Sequence, residues 1–212
     1  DYGRSITVWR EQNGSIVNLW ANRYTTQAGW GNPVLIDELN TSDVNTHRIA
    51  MDGDGNAMVV WSQHNGTQYR LWAKRYIQGT GWQPAEDIST SYSSLNLAVA
   101  CDDAGNTVVA WNYNGDVYVK RHEKTSGWDA TATALFMSTT YTSASHMTLD
   151  TNDNGGAVIL WVVSSSVYFS VHDPANGWSS AASLFSHSGP YTYNYVTVTM
   201  DNLDNITIGY AL

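Results

Sequence analysis

The sequence predicts an all-β protein assembled from four copies of one module, and three observations carry that prediction. A phrase ending in an aromatic residue recurs: Trp9, Trp61, Trp111, Trp161 and Tyr210 lie 52, 50, 50 and 49 residues apart in a chain of 212. A period near fifty marks stacked structural repeats. Within each period, short apolar runs alternate with clusters of Asp, Gly and Asn, which punctuate hairpins. No stretch has the 3.6-residue periodicity of a helix.

Each module reads as four short strands. The first ("RIAMD", "NLAVACD", "HMTLDT", "YVTVTMD") alternates large Ile49/Met51, Leu97/Val99, Met147/Leu149 and Val196/Val198 with small Ala50, Ala98, Thr148 and Thr197. A turn follows ("DGDGN", "DDAGN", "DTNDNGG", "DNLDN"), where Gly and Asn accept positive φ and Asp bonds its own backbone. The second strand ("ITVW", "AMVVW", "TVVAW", "AVILW") is apolar on both faces, as in a strand sandwiched between neighbouring sheets. The third ("LWANRY", "LWAKRY", "VYVKRH", "VYFSVH") has period two, sending Leu19, Ala21 and Arg23 one way and Trp20, Asn22 and Tyr24 the other. Gly-Trp comes six residues later in every module: Tyr24 to Trp30, Tyr76 to Trp82, His122 to Trp128, His172 to Trp178. The preceding hairpin instead varies in length, so it is expected on the surface. A weaker outer strand follows, where Pro33 and Pro84 suit an edge.

Four antiparallel strands per module, with both sheet faces apolar, describe the blade of a β-propeller, and four modules a four-bladed ring. Small side chains on one face of the first strand fit close approach near a central axis. The expected blades are residues 1–45 completed by 195–201, then 46–94, 95–143 and 144–192. The C-terminal strand would close the first blade, leaving 205–212 as a surplus strand. Either the chain is a piece of a longer array, or the surplus strand joins subunits head to tail.

The phrase D-x-x-G-N-A-x-x-V-W, then L-W-A-x-R-Y and G-W, resembles a repeat of secreted or surface bacterial proteins, often lipoproteins, of largely unassigned function. Asp52, Gly55, Asn56, Trp61, Trp72, Ala73, Arg75, Tyr76, Gly81 and Trp82 carry it best, and module four departs with Val171 for Arg and Tyr210 for Trp. The resemblance implies an extracellular or cell-surface propeller-like fold.

Composition narrows the function classes. With 42% hydrophobic and 14% charged residues the chain folds. Ten Trp and thirteen Tyr against three Phe supply rings with a polar edge, suited to interfaces. A net charge of −9 without a basic run excludes nucleic acid as the expected partner. The longest apolar run falls short of a membrane span, and an opening Asp without Met suggests processing. Cys101 is alone and reads as a small buried thiol. Sequons at Asn13, Asn40, Asn65 and Asn205 are expected by chance in so Ser-, Thr- and Asn-rich a chain.

No motif points to catalysis. There is no G-x-S-x-G, P-loop or H-E-x-x-H. His47, His64, His122, His146, His172 and His187 read as structural variants, and Glu11, Asp37, Glu38, Glu86, Asp87, Asp116 and Glu123 as surface carboxylates. Asp52, Asp54 and Asn56, and Asp150, Asn152 and Asn154, space their oxygens like the start of a Ca²⁺ loop. The twelfth position is Gln63 or Trp161, however, where that loop needs a carboxylate. Turn formation is therefore the preferred reading and calcium the secondary one.

The repeated aromatic set remains: Trp20 and Trp72, with Tyr118 and Tyr168 at the same site, beside Arg23, Arg75 and Arg121. Ring faces stack on sugars while Arg bonds their hydroxyls, so the set suits a multivalent carbohydrate-binding module without catalytic activity, with glycans or cell-surface polymers as partners. The competing readings are blade-to-blade packing by the same rings, a structural subunit that polymerises through its surplus strand, and, behind these, a glycoside-active enzyme should two of the carboxylates meet in a pocket.

Overall fold

The computed structural model describes residues 3–39, 42–89, 96–137, 144–186 and 195–211; Asn40 and His187 lie outside them. Among the described residues every regular element is a strand, and the strands form five sheets. Sheet 1 holds β1 (Arg4–Asn13), β2 (Ile16–Thr25), β3 (Gly29–Trp30) and β4 (Val34–Leu35). Sheet 2 holds β5 (Val44–Met51), β6 (Ala57–His64), β7 (Tyr69–Ile77), β8 (Gly81–Trp82) and β9 (Glu86–Asp87). Sheet 3 holds β10 (Leu97–Cys101), β11 (Thr107–Tyr113), β12 (Asp116–Glu123), β13 (Gly127–Trp128) and β14 (Thr133–Phe136). Sheet 4 holds β15 (Ser145–Thr151), β16 (Ala157–Val163), β17 (Ser166–Asp173), β18 (Gly177–Trp178) and β19 (Ala182–Ser186). Sheet 5 is the hairpin of β20 (Tyr195–Met200) and β21 (Ile206–Ala211).

Sheets 2, 3 and 4 repeat one antiparallel meander, first strand to second to third, with the third also carrying both short outer pieces. The outer strand is split because Gly-Trp pairs with the end of the third strand and the chain then bulges before pairing again. The glycine of each pair has φ between 74° and 102°. An added Cβ there would meet nothing, so the constant Gly-Trp reflects backbone conformation and not space.

Both faces of the second strands of sheets 2, 3 and 4 are covered, as their apolar runs require, whereas β1 and β21 at the two ends of the array stay partly exposed. Trp61, Trp111 and Trp161 are at most 1% exposed, and each apolar cluster is shared by two successive sheets. The first strands β5, β10, β15 and β20 lie side by side, where their Ala and Thr residues permit close approach. Turns tie them further: Asp103 N–H donates to Asp153 Oδ1 and Asp153 N–H to Asn202 Oδ1, each at 2.9 Å.

The ends differ from expectation. Tyr195–Met200 does not complete sheet 1, and Ile206–Ala211 is not surplus; the two pair with each other along their whole length. The cause is local. Asp201 to Asn205 forms the same tight turn that joins first and second strands elsewhere, with Asp201 Oδ1 accepting from Asn205 N–H at 2.9 Å. Closing that short loop costs far less entropy than bringing residue 195 to residue 4. Among the described strands none pairs with the second edge of β1, and a groove of about 320 Å³ lined by Ile6, Thr7, Val8, His47, Arg48 and Ile49 lies where the other sheets hold a first strand. The array therefore has three complete sheets flanked by two partial ones.

Candidate functional site

The third strands position the candidate residues, and their two faces serve different neighbours. Leu71, Ala73 and Arg75 face sheet 3, where the first two pack with Val109, Trp111, Tyr118 and Trp128. Trp72 faces the other way, joining Leu19, Ala21 and Ile36 of sheet 1. Lys74 follows it, its Nζ donating to Ile36 O at 3.2 Å. Hence Arg23 and Trp20, one blade's expected pair, lie on opposite faces of their sheet. So do Arg75 and Trp72. Each arginine meets instead the aromatic residues of the following sheet.

Between sheets 1 and 2, the Arg23 guanidinium lies 4.4 Å above the Tyr76 ring and donates from Nη2 to Gln78 Oε1 at 3.0 Å. Tyr76 meets Trp82 edge-on at 5.3 Å. With Asn22, Gly31, Asn32 and Val34 these residues line a cleft of about 340 Å³. Trp72 does not line it; its ring belongs to the packed core.

The cleft between sheets 3 and 4 is equivalent, about 390 Å³, and lined by Arg121, Glu123, Asp129, Thr133, His172 and Trp178 among others. Arg121 Nη1 donates to Gly155 O at 3.1 Å and lies 2.6 and 2.9 Å from the two ring nitrogens of His172. His172 meets Trp178 edge-on at 5.2 Å. Burial, and then the Arg121 charge, hold the His172 imidazole below its ordinary pKa, so it presents an acceptor nitrogen to the guanidinium. Tyr168 stacks instead on Trp161 at 6.1 Å, inside the sheet.

Between sheets 2 and 3 the same parts recur. Burial, and then Arg75, lower the pKa of His122, which meets Trp128 at 5.0 Å. Arg75 and Lys124 lie against the turn of sheet 3: a Cβ on Gly105 would lie 3.4 Å from Arg75 Nη2 and 3.2 Å from Lys124 Cδ, as one on Gly155 would lie 4.0 Å from Arg121 Nη2 and 3.3 Å from Pro174 Cγ. Tyr118 stacks on Trp111 at 5.9 Å.

Of the seven residues singled out by sequence, the structure thus brings Arg23 and Arg121 to clefts and Arg75 to the equivalent position between sheets 2 and 3. Trp72, Tyr118 and Tyr168 pack within the interfaces, and Trp20 faces away from sheet 2. Tyr76, Trp82, His172 and Trp178 were read as structural; the constant six-residue interval was their signal.

The Asp- and Asn-rich turns spend their oxygens on the protein. Asp52 accepts from Asn56 N–H at 2.8 Å and from Asn56 Nδ2 at 2.7 Å, while Asn56 Oδ1 accepts from Gln78 N–H at 2.8 Å. Asp54 pairs with Lys124 at 3.3 Å. Asp150 Oδ2 accepts from Met200 N–H at 2.8 Å, Asn152 Oδ1 from Gly156 N–H at 2.8 Å, and Asn154 Nδ2 donates to Asn202 O at 2.7 Å. Among the described residues no group of three His, Cys, Asp or Glu is placed to hold a metal ion. Most carboxylates weighed for catalysis are likewise engaged: Glu11 by the Trp9 indole, buried Asp37 by Leu19 N–H and Gln63, Glu38 by Lys74, and Asp87 by Arg70.

No family model matches the chain, and no curated protein matches it. Solved structures do. AofleA from Arthrobotrys oligospora matches over 90% of this chain and 57% of its own, with a TM-score of 0.56 and 16% identity. The fucose-specific lectin of Aleuria aurantia, a six-bladed β-propeller, matches over 98% and 70%, with a TM-score of 0.57 and 9% identity. The NanB sialidase of Streptococcus pneumoniae matches over 94% and 52%, with a TM-score of 0.61 and 7% identity. The chain therefore spans between about half and seven tenths of these proteins, and what it shares with them is the β-propeller fold.

Proposed function

We propose that this chain is a non-catalytic carbohydrate-binding module whose sites are the clefts between successive sheets. One observation carries the reading: an arginine from one sheet reaches the Tyr-Trp or His-Trp pair of the next, at the mouth of a cleft, in two equivalent places. The Trp82 and Trp178 rings supply an apolar platform for a sugar's C–H surface, and the guanidinium, Asn22, Asn32, Glu123 and Asp129 supply donors and acceptors for its hydroxyls. Two clefts on one rigid array favour branched or surface-attached glycans through avidity, as suits an extracellular or cell-surface partner. The lectin neighbours support this reading by their fold.

The test is a glycan array followed by calorimetry on the ligands found. Replacing Trp82 and Trp178 by Ala should abolish retention, because both platforms go, while the circular dichroism spectrum persists. Retention unchanged in the double variant would end the reading. The sialidase neighbours, and the meeting of Glu123 and Asp129 in one cleft, favour glycoside hydrolysis as a second reading. Asp129 has Gly31 and Gln83 as its counterparts, so the carboxylate pair is not part of the repeated design; turnover of aryl glycosides, lost in Glu123→Gln, would establish hydrolysis.

A further inference from the structure

We infer that the two open clefts select sugars of opposite charge type: the Arg23 cleft takes a carboxylate-bearing sugar, and the Arg121 cleft a neutral one. The inference rests on the carbohydrate-binding reading and adds the ligand class of each site. Two equivalent positions decide it. The residue after Gly-Trp donates its backbone N–H to the carbonyl of the site arginine in every case: Gly31 to Arg23 at 2.8 Å, Gln83 to Arg75 at 2.8 Å, Asp129 to Arg121 at 2.9 Å. The residue paired with the glycine of Gly-Trp is Thr25, Ile77 or Glu123.

In the Arg23 cleft both positions lack charge, and no Asp or Glu is among the described residues that line it. A guanidinium has five N–H donors in a planar fork. Arg23 spends one on Gln78 and lays its face on Tyr76. The remaining edge suits a bidentate carboxylate, the strongest partner a neutral apolar cleft with one cation can take.

In the Arg121 cleft both positions are acidic. Asp129 is anchored there by accepting Arg121 N–H at 3.1 Å, and Glu123 by Ser126 Oγ at 2.8 Å. Two carboxylates line the cleft with one guanidinium, whose Nη1 already serves Gly155 O and His172. A carboxylate-bearing ligand meets like charge there, whereas sugar hydroxyls find two strong acceptors.

The test titrates the intact chain with matched pairs, methyl glucoside against methyl glucuronide and methyl galactoside against methyl galacturonide, and adds N-acetylneuraminic acid. Acid sugars should bind at one site per chain, lose about tenfold or more in affinity in Arg23→Ala, and keep it in Arg121→Ala. Gly31→Asp should give the same loss with the fold intact, because a Cβ there meets nothing closer than 3.5 Å. Glu123→Gln combined with Asp129→Asn should let acid sugars into the second cleft. Acid sugars that bind equally in Arg23→Ala and Gly31→Asp, or that are refused by a chain binding neutral sugars, would overturn the inference and leave the carbohydrate reading standing. A chain that binds none of these sugars, and no glycan on the array, overturns both.

Discussion

At the scale of single residues, burial sets the chemistry. Cys101 packs against the sheet 2–sheet 3 core, bonds Thr107 Oγ1 at 3.1 Å, and has its thiol pushed up to about 12, by burial foremost. A thiol reagent at pH 8 should label it on the order of a hundredfold more slowly in the folded chain than in urea, since the thiolate is the reacting form; equal rates would refute the burial. His47, His122 and His172 all have pKa values lowered, by burial first and then by neighbouring arginines. The unfolded chain then takes up their protons first, so their contribution is complete above about pH 6.5, the ordinary His value, and is lost as pH falls below it. Melting temperature should decline on acidification from pH 7 to 5. Replacing His122 and His172 by Tyr, the residue found at the equivalent Tyr76, should flatten that decline. The lowered carboxylates, Glu38 through Lys74, Asp153 through hydrogen bonds from Asp103 N–H and Asn202 in the neighbouring turns, and Asp173 and Asp201 through local hydrogen bonds, act in a separate window below about pH 4.

At the scale of elements, the hairpin turn is the unit that both folds the module and links it to the next. Asp102 accepts from Asn106 N–H and Nδ2, each at 2.8 Å, as Asp52 does from Asn56. Asp102→Ala leaves those donors unpaired, at a cost of about 1–3 kcal/mol measured by urea unfolding. Millimolar calcium should leave the unfolding midpoint of the native chain unmoved, because these oxygens already have donors. Strand order, the hairpin turns and the Gly-Trp interval were legible in sequence because they depend on neighbours along the chain. The candidate site was legible only in part. Arg23 and Arg121 announced themselves by repetition, but alternation along a strand puts Trp20 and Arg23 on opposite faces, and each cleft draws its ring pair from the next module. Identical repeats conceal that exchange, since each module carries both halves.

At the scale of the whole molecule, stability passes from sheet to sheet. Val158, Leu160, Val162 and Val167 of sheet 4, none more than 2% exposed, are covered by Val196, Val198 and Met200 of sheet 5. Truncation after residue 186 would bare that face, and the shortened chain should bind a hydrophobic dye and melt well below the parent; an unchanged melting temperature would show the sheets to be independent. The sequence by itself determined the module, its strand order, its turn chemistry and the necessity of neighbours, because a strand apolar on both faces needs cover on both sides. Only the tertiary structure decided which sheet each face meets, that the last two strands pair with each other and not with the first sheet, and that each arginine meets the ring pair of the next sheet. Those outcomes depend on competition between partners far apart in the chain, which a linear pattern does not record.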